Sequence, residues 1–473
     1  MKRAILFLAL IFVSSVFGIK NRYSESFIFT RPCYERLTAY EAFWQNMTFY
    51  SDCYAHSNMQ LIAFFQNSID KRHDQWRQYF LMRDRNELVV RGDNFNKVDR
   101  DIRAEWLGLS SGYNGTYTMN PGQEQFGGLF VYRRDLRNFC NWDFLNNFWV
   151  GAQGQMAFTK NKLNYSETTT DSPTIFSALS SPDFIYDKLV KCSSTIGITE
   201  IEIMVGAHFQ PANSLQLSTR TGILFPFGNK YSGKEFYQAI RGYNRHLGLE
   251  TTFNLQFPLN CSETCRVTFY ADFQSIYLFQ NTQRRTVDLY KKPYSRYLLF
   301  NSKYGQTNIS GVNVLTPEFK VKPFNLFDVS AGFRIKRGRL EFQIGYDVWG
   351  HGNEELILKE KWQEIYGISA PLGELTPEGL PATASASTIK TLAPTDVDVN
   401  GDFAFIPIQE ADLDLQSGIS RGTFTNSLDG AIGWVHDSER VSGFVGAGGF
   451  IEIPMNNAAL KLWGAWFKVG GSM

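Results

Sequence analysis

The chain has 473 residues, of which 43% are hydrophobic and 15% aromatic, with 40 Phe and a formal net charge of +1. A near-neutral balance gives no electrostatic footprint for nucleic acid or another polyanion. Mean hydropathy is −0.25, and no run of 18 apolar residues occurs past the N-terminus, so any later membrane crossing has to be made by strands.

Residues 1–18 read as a secretory signal: Lys2 and Arg3 form the charged end, residues 4–13 the apolar core, and Val16-Phe17-Gly18 the small-residue cleavage site. Residues 19–100 carry no clear period and are read as a plug, a lead-in or the first strands, with candidate strands at 59–66 and 75–83. From residue 101 the barrel is expected to run to the end of the chain. Strand material occurs at 101–110 and 113–119, and Phe126, Gly128, Phe130 and Tyr132 then alternate. Phe148, Val150, Ala152, Met156 and Phe158 face one way, with Gln153 and Gln155 facing the other. After a polar loop at 160–196, Ile201, Ile203, Val205, Ala207 and Phe209 alternate with Glu200, Glu202 and His208, and Leu215, Leu217, Ile223 and Phe225 oppose Gln216, Ser218 and Arg220.

Residues 243–279 hold the longest alternation. Leu247, Leu249, Phe253, Leu255 and Phe257 oppose His246, Glu250, Thr252 and Asn254; beyond the NCSET turn, Val267, Phe269, Ala271 and Phe273 oppose Arg266, Thr268 and Asp272. Successive strand side chains point to opposite faces, so each segment has one apolar and one polar face. Runs of this length exceed an ordinary globular strand of about 5–6 residues and suit a transmembrane strand. Residues 280–320 are mixed. Phe327, Val329, Phe333 and Ile335 then oppose Asp328 and Arg334, and Leu340, Phe342, Ile344 and Tyr346 oppose Glu341, Gln343 and Asp347. A long region at 351–421 precedes three closing strands at 428–434, 441–453 and 459–469. Short turns (QPANS, NCSET, KRGR, DSER) and long connections fall at opposite ends, as they do in bacterial barrels. The expected fold is therefore all-β, a transmembrane antiparallel β-barrel of about 12–14 strands with long extracellular loops.

The export signal, the two-residue repeat and a terminal strand ALKLWGAWFKV, with Trp463, Phe467 and Val469 spaced by two or four, resemble a bacterial outer-membrane β-barrel protein of the porin-like or transporter-like kind. The resemblance implies an outer-membrane location, contact with membrane lipid and lipopolysaccharide, oligomerisation as an option, and passage of small solutes. Glu200, Glu202, His208, Arg220, His246, Glu250, Arg266, Asp272, Asp328, Arg334, Glu341 and Asp347 are expected to line a narrow polar pore through which solutes diffuse passively. A structural or adhesive barrel with a closed bore and a plugged transporter of hydrophobic molecules are the alternatives.

Six cysteines in an exported chain permit disulfides, and Cys261 and Cys265, which flank a turn, are the pair proposed to close a small ring. Asp396, Asp398, Asn400 and Asp402 match the opening of a calcium loop, although position twelve is Pro407 rather than Glu. No nucleophile motif accompanies the histidines. Neither catalysis nor a resident cofactor is expected, calcium being the one candidate.

Overall fold

The computed structural model describes residues 24–44, 57–69, 79–81, 87–95, 100–136, 145, 147–169, 171–212, 215–262, 265–290, 292–368, 407–436 and 441–472. Its centre is a closed antiparallel barrel of twelve strands. In chain order they are β1 (Ser57–Ser68), β2 (Gly122–Asp135), β3 (Phe148–Lys162), β4 (Cys192–Ala212), β5 (Leu215–Pro226) and β6 (Gly248–Cys261). They continue as β7 (Arg266–Leu278), β8 (Asn325–Arg337), β9 (Leu340–His351), β10 (Thr423–His436), β11 (Ser442–Pro454) and β12 (Leu462–Ser472). Each strand pairs with its neighbours in sequence, and β12 returns to β1 with Leu61 opposite Val469, which leaves no open edge.

The two-residue period fixes which side chains face out. In β6, Phe253 is 53% exposed while Thr252 beside it is fully buried, and Phe253 lies opposite Phe273 of β7. Leu61, Phe130, Ile203, Phe257, Phe333, Ile344, Ile432, Ile451 and Phe467 continue the apolar outer surface around the wall. A continuous belt of this kind has no partner within the chain, and hydrocarbon is the solvent it fits.

The barrel begins at Ser57, and β1 covers the candidate strand at 59–66, so the region 19–100 does supply a first wall strand. Expectation and structure part further along. Residues 101–110 and 113–119 are not wall strands: Ile102–Arg103 is a short strand, Ala104–Leu107 a 3-10 turn, and Asn114–Thr118 belongs to a separate four-stranded sheet. Their apolar residues, Ile102, Trp106 and Tyr117 among them, are buried in the cap, so they lack the outward apolar side that a wall strand needs.

The long connections fold together at one end as a cap. Its small sheets are formed by 88–91, 102–103, 114–118 and 166–169; by 281–284, 318–322 and 355–358; by 299–302, 309–310 and 366–368; and by 288–289 with 413–414. Phe80, Val90, Ile102, Tyr117, Ile175, Leu289, Phe300, Val312, Leu315 and Phe319 share one buried cluster there. A large apolar side chain contributes about 1.5–3 kcal/mol when fully buried, so this cluster holds the loops as a folded layer. The described parts of 351–421 join it: Glu355–Leu358 and Tyr366–Ile368 enter cap sheets, and Ile408, Leu413 and Ile419 enter its core.

Candidate functional site: the occupied bore

Residues 24–44 pass from the cap end to the turn end through the inside of the barrel. Near the cap, Phe27 lies edge-on to Tyr231 at 4.8 Å, and Phe29 packs on Phe324 and Trp349, among Leu224, Ile276, Leu278 and Leu326. At the other end, Phe43 and Trp44 lie among Phe444, Trp466 and Val435. A Cβ at Gly433 of β10 or Gly446 of β11 would run into the Phe43 ring, so these two glycines form the notch that receives it. Between the apolar ends the chain is irregular except for one short helix, α1 (Leu37–Glu41).

Such a backbone segment needs external partners, and the inward faces of the strands supply them. The Arg31 guanidinium lies 2.6 Å from Asp328 of β8, and 2.9 Å from both Asp347 of β9 and Glu452 of β11, while its Nε donates to Glu35 O at 2.7 Å. Arg36 reaches Glu452 at 2.9 Å and donates to Gln66 of β1 at 3.1 Å. Glu35 accepts from the Trp349 indole N–H at 2.9 Å, and the Tyr34 hydroxyl donates to Glu200. Thr38 donates to Asp429 at 3.0 Å. Arg220 of β5 lies between Glu250 at 2.8 Å and Glu41 of the segment at 3.5 Å, beneath the Tyr40 ring. Lys468 of β12 donates to the carbonyls of Ala39, Tyr40 and Ala42, placing a cation at the C-terminal end of α1.

The head of the segment is tied into the cap. Ser24 donates to Asp288, whose carboxylate also holds Arg296 at 2.6 Å, and Arg296 in turn donates to Ser24 O. Ser26 N donates to Ser417 O at 2.9 Å and its hydroxyl to Thr286 O, while Glu25 pairs with Arg421. Within the bore, a cavity of about 20 Å³ remains beside Tyr34, Arg36, Arg220 and Glu250. That is room for about one water molecule.

Of the twelve residues expected to line a pore, all but His208 and Arg266 are buried. Nine of the ten buried ones lie on wall strands and face inward, but they face the segment and one another rather than an open channel. Asp328, Asp347, Glu200 and Arg220 hold the segment as described, and Glu250 holds Arg220. Glu202 accepts from Gln153, Asp272 from Asn254 at 3.2 Å, and Arg334 donates to Gln343 at 2.9 Å beside the Tyr270 ring. Glu341 is buried on β9. The tenth, His246, is not a wall residue: it precedes β6 in the cap loop, with Nδ1 bonded to Phe279 O and Nε2 to the Gln283 amide. Burial lowers its pKa to about 4, which keeps the imidazole neutral. His208 is half-buried and stacked on Trp149, and Arg266 is half-buried at the turn end.

The expected Cys261–Cys265 ring is not formed. Cys265 is a free thiol, and the turn is closed by Ser262, whose hydroxyl donates to Cys265 O and accepts from Cys265 N. The Cys261 side chain, the signal at 1–18 and the candidate calcium ligands Asp396, Asp398, Asn400 and Asp402 lie outside the described residues. The expectation missed Glu452, Asp429 and Lys468, although each sits at a polar position of an alternating strand: between Ile451 and Ile453, after Leu428, and between Phe467 and Val469. Arg31 and Arg36 carried no periodic signal.

No family model matches the chain, and no curated protein matches it. Among solved structures, an outer-membrane channel from Pseudomonas putida F1 is 10% identical with a TM-score of 0.36, covering 90% of this chain and 98% of that one. The transport unit of the autotransporter AIDA-I from Escherichia coli is 8% identical with a TM-score of 0.32, covering 92% and 97%. A FadL homologue of Pseudomonas aeruginosa is 9% identical with a TM-score of 0.27, covering 88% and 90%. At these identities and scores, none of the three bears on what this chain does.

Proposed function

We propose that the chain is an outer-membrane β-barrel channel or transporter whose bore is held closed by its own residues 24–44, and that small polar solutes cross when this segment leaves. The observation that carries the reading is the polar contact between segment and wall. Its middle is held by ion pairs and hydrogen bonds, with apolar packing at the two ends. Were the segment to withdraw, Asp328, Asp347, Glu250, Arg220 and Lys468 would face a bore that water can enter, and their mixed signs would favour neither anions nor cations strongly. Short turns belong on the periplasmic side and the cap outside, with the apolar belt against lipid and the cap near lipopolysaccharide. The reading needs neither catalysis nor a resident cofactor.

The test is osmotic swelling of proteoliposomes in small sugars, comparing the whole chain with a variant lacking residues 24–44. Swelling with the variant alone is the expected result. If the correctly folded variant stays tight, the bore is no path. A second reading, a closed barrel that displays its cap to an outside partner, would then stand, and the cap's own hydrophobic core favours it.

A further inference from the structure

The cap carries a groove of about 360 Å³ between two of its small sheets. One wall is the cross-strand pair Arg284 and Glu318, which face each other in register. Glu318 is held by Lys359 at 2.7 Å and approached by Arg284 at 3.7 Å. The other wall is the chain from Lys361 through Trp362 to Tyr366, after which residues 366–368 pair with 299–302. Trp362 is fixed because its indole N–H donates to Ile408 O at 2.8 Å, and the Tyr366 carbonyl accepts from Ile408 N. The held Trp362 ring, the Tyr366 side chain and an ion-paired polar wall therefore share one cleft, within the size range of small-ligand sites, at about 300–1,000 Å³.

We infer that this groove binds a phosphorylated saccharide. Aromatic faces stack against the C–H faces of a sugar ring, and a carboxylate beside a guanidinium matches vicinal hydroxyls as acceptor and donor. Arg284, Lys359 and Lys361 outnumber Glu318 and Glu360, which leaves positive charge for a phosphate. The position adds a consequence. Thr316 lines the groove, its hydroxyl lies 2.9 Å from that of Thr286, and Thr286 O accepts from Ser26 at the head of the bore segment. A ligand here is linked to the segment through two residues, Thr316 and Thr286, yet binding itself does not depend on whether the bore opens.

The test is calorimetry on the full-length protein in detergent, titrated separately with glucose 6-phosphate, lipopolysaccharide and an oligoglutamate peptide. Saturable binding of glucose 6-phosphate, weakened at least tenfold in Trp362→Ala and in Arg284→Gln, supports a free sugar phosphate. The same variant losses with lipopolysaccharide alone support the lipid-linked form of the same chemistry. Because Arg284 is a surface residue, its variant remains informative if Trp362→Ala folds poorly. Binding that neither variant weakens, no binding to either saccharide, or variant-sensitive binding of the peptide alone overturns the inference.

Discussion

Arg31 is the residue on which the closed bore depends most. It neutralises carboxylates from three strands, and none of the four side chains is more than about 2% exposed. Removing one partner of a buried ionic cluster costs about 3–5 kcal/mol, because the remaining charges stay buried without compensation. Arg31→Ala should therefore free the segment while leaving the wall intact. Hydrogen exchange is expected to rise across residues 30–44 and to stay unchanged in β8 and β9. Lys468→Met should act in the same direction at the other end, by withdrawing the ammonium from three carbonyls of the segment. At this scale the sequence was informative in one direction only. Alternation identified Asp328 and Asp347 as inward because each stands between outward apolar neighbours. It did not reveal what they bind, since their partner lies some 300 positions away in a stretch with no period.

At the scale of elements, the wall strands follow from the two-residue period, and the twelve that form fall within the expected 12–14. The cap was not readable in the same way. Its strands are short, most of them two to five residues, and joined across distant loops, as with 288–289 and 413–414, so neither a sustained period nor turn length marks them. The contact of segment and wall at the turn end gives a prediction of its own. Gly446→Val would put a side chain where the Phe43 ring lies, and overpacking of this kind costs about 1–3 kcal/mol. The strain should be relieved by expulsion of residues 43–44, read as faster protease cleavage N-terminal to β1 in an otherwise heat-resistant barrel.

The cap also has a pH dependence. Burial pushes the Asp187 carboxyl from 3.8 up to about 7, and among the described residues neither of its oxygens has a hydrogen-bond partner. Burial, and then the neighbouring Asp288, raise Asp414 to about 6. In the unfolded chain both groups ionise near pH 4, whereas in the cap they keep their protons until pH 6–7. The folded cap thus binds more protons in that window, and its stability falls as the pH rises through it. Amide protection of the cap is expected to be greater at pH 5 than at pH 8. Asp187→Asn should reduce the difference without abolishing it, because Asp414 and Glu25, raised to about 6 and about 8, keep their own dependence; a cap equally protected at both values would rule this out.

Over the whole molecule, one chain builds a wall, fills it and covers it. The apolar belt faces lipid, while the polar interior is taken up by residues 24–44, whose head is bonded into the cap by Ser24, Glu25 and Ser26. Cap and bore are therefore mechanically continuous, and a disturbance of the cap can reach the segment without crossing the wall. The twelve-strand wall could be read from the sequence, but the state of its bore could not, because inward charges look the same whether they face water or a buried arginine. Single-channel recording in a planar bilayer separates the two most directly. The whole chain should be silent at low voltage, and Arg31→Ala, or removal of residues 24–44, should produce steady ohmic steps. Steps of the same size from the unaltered chain would show that the segment does not close the bore. Silence from a folded barrel without the segment would show that no aqueous path lies beneath it.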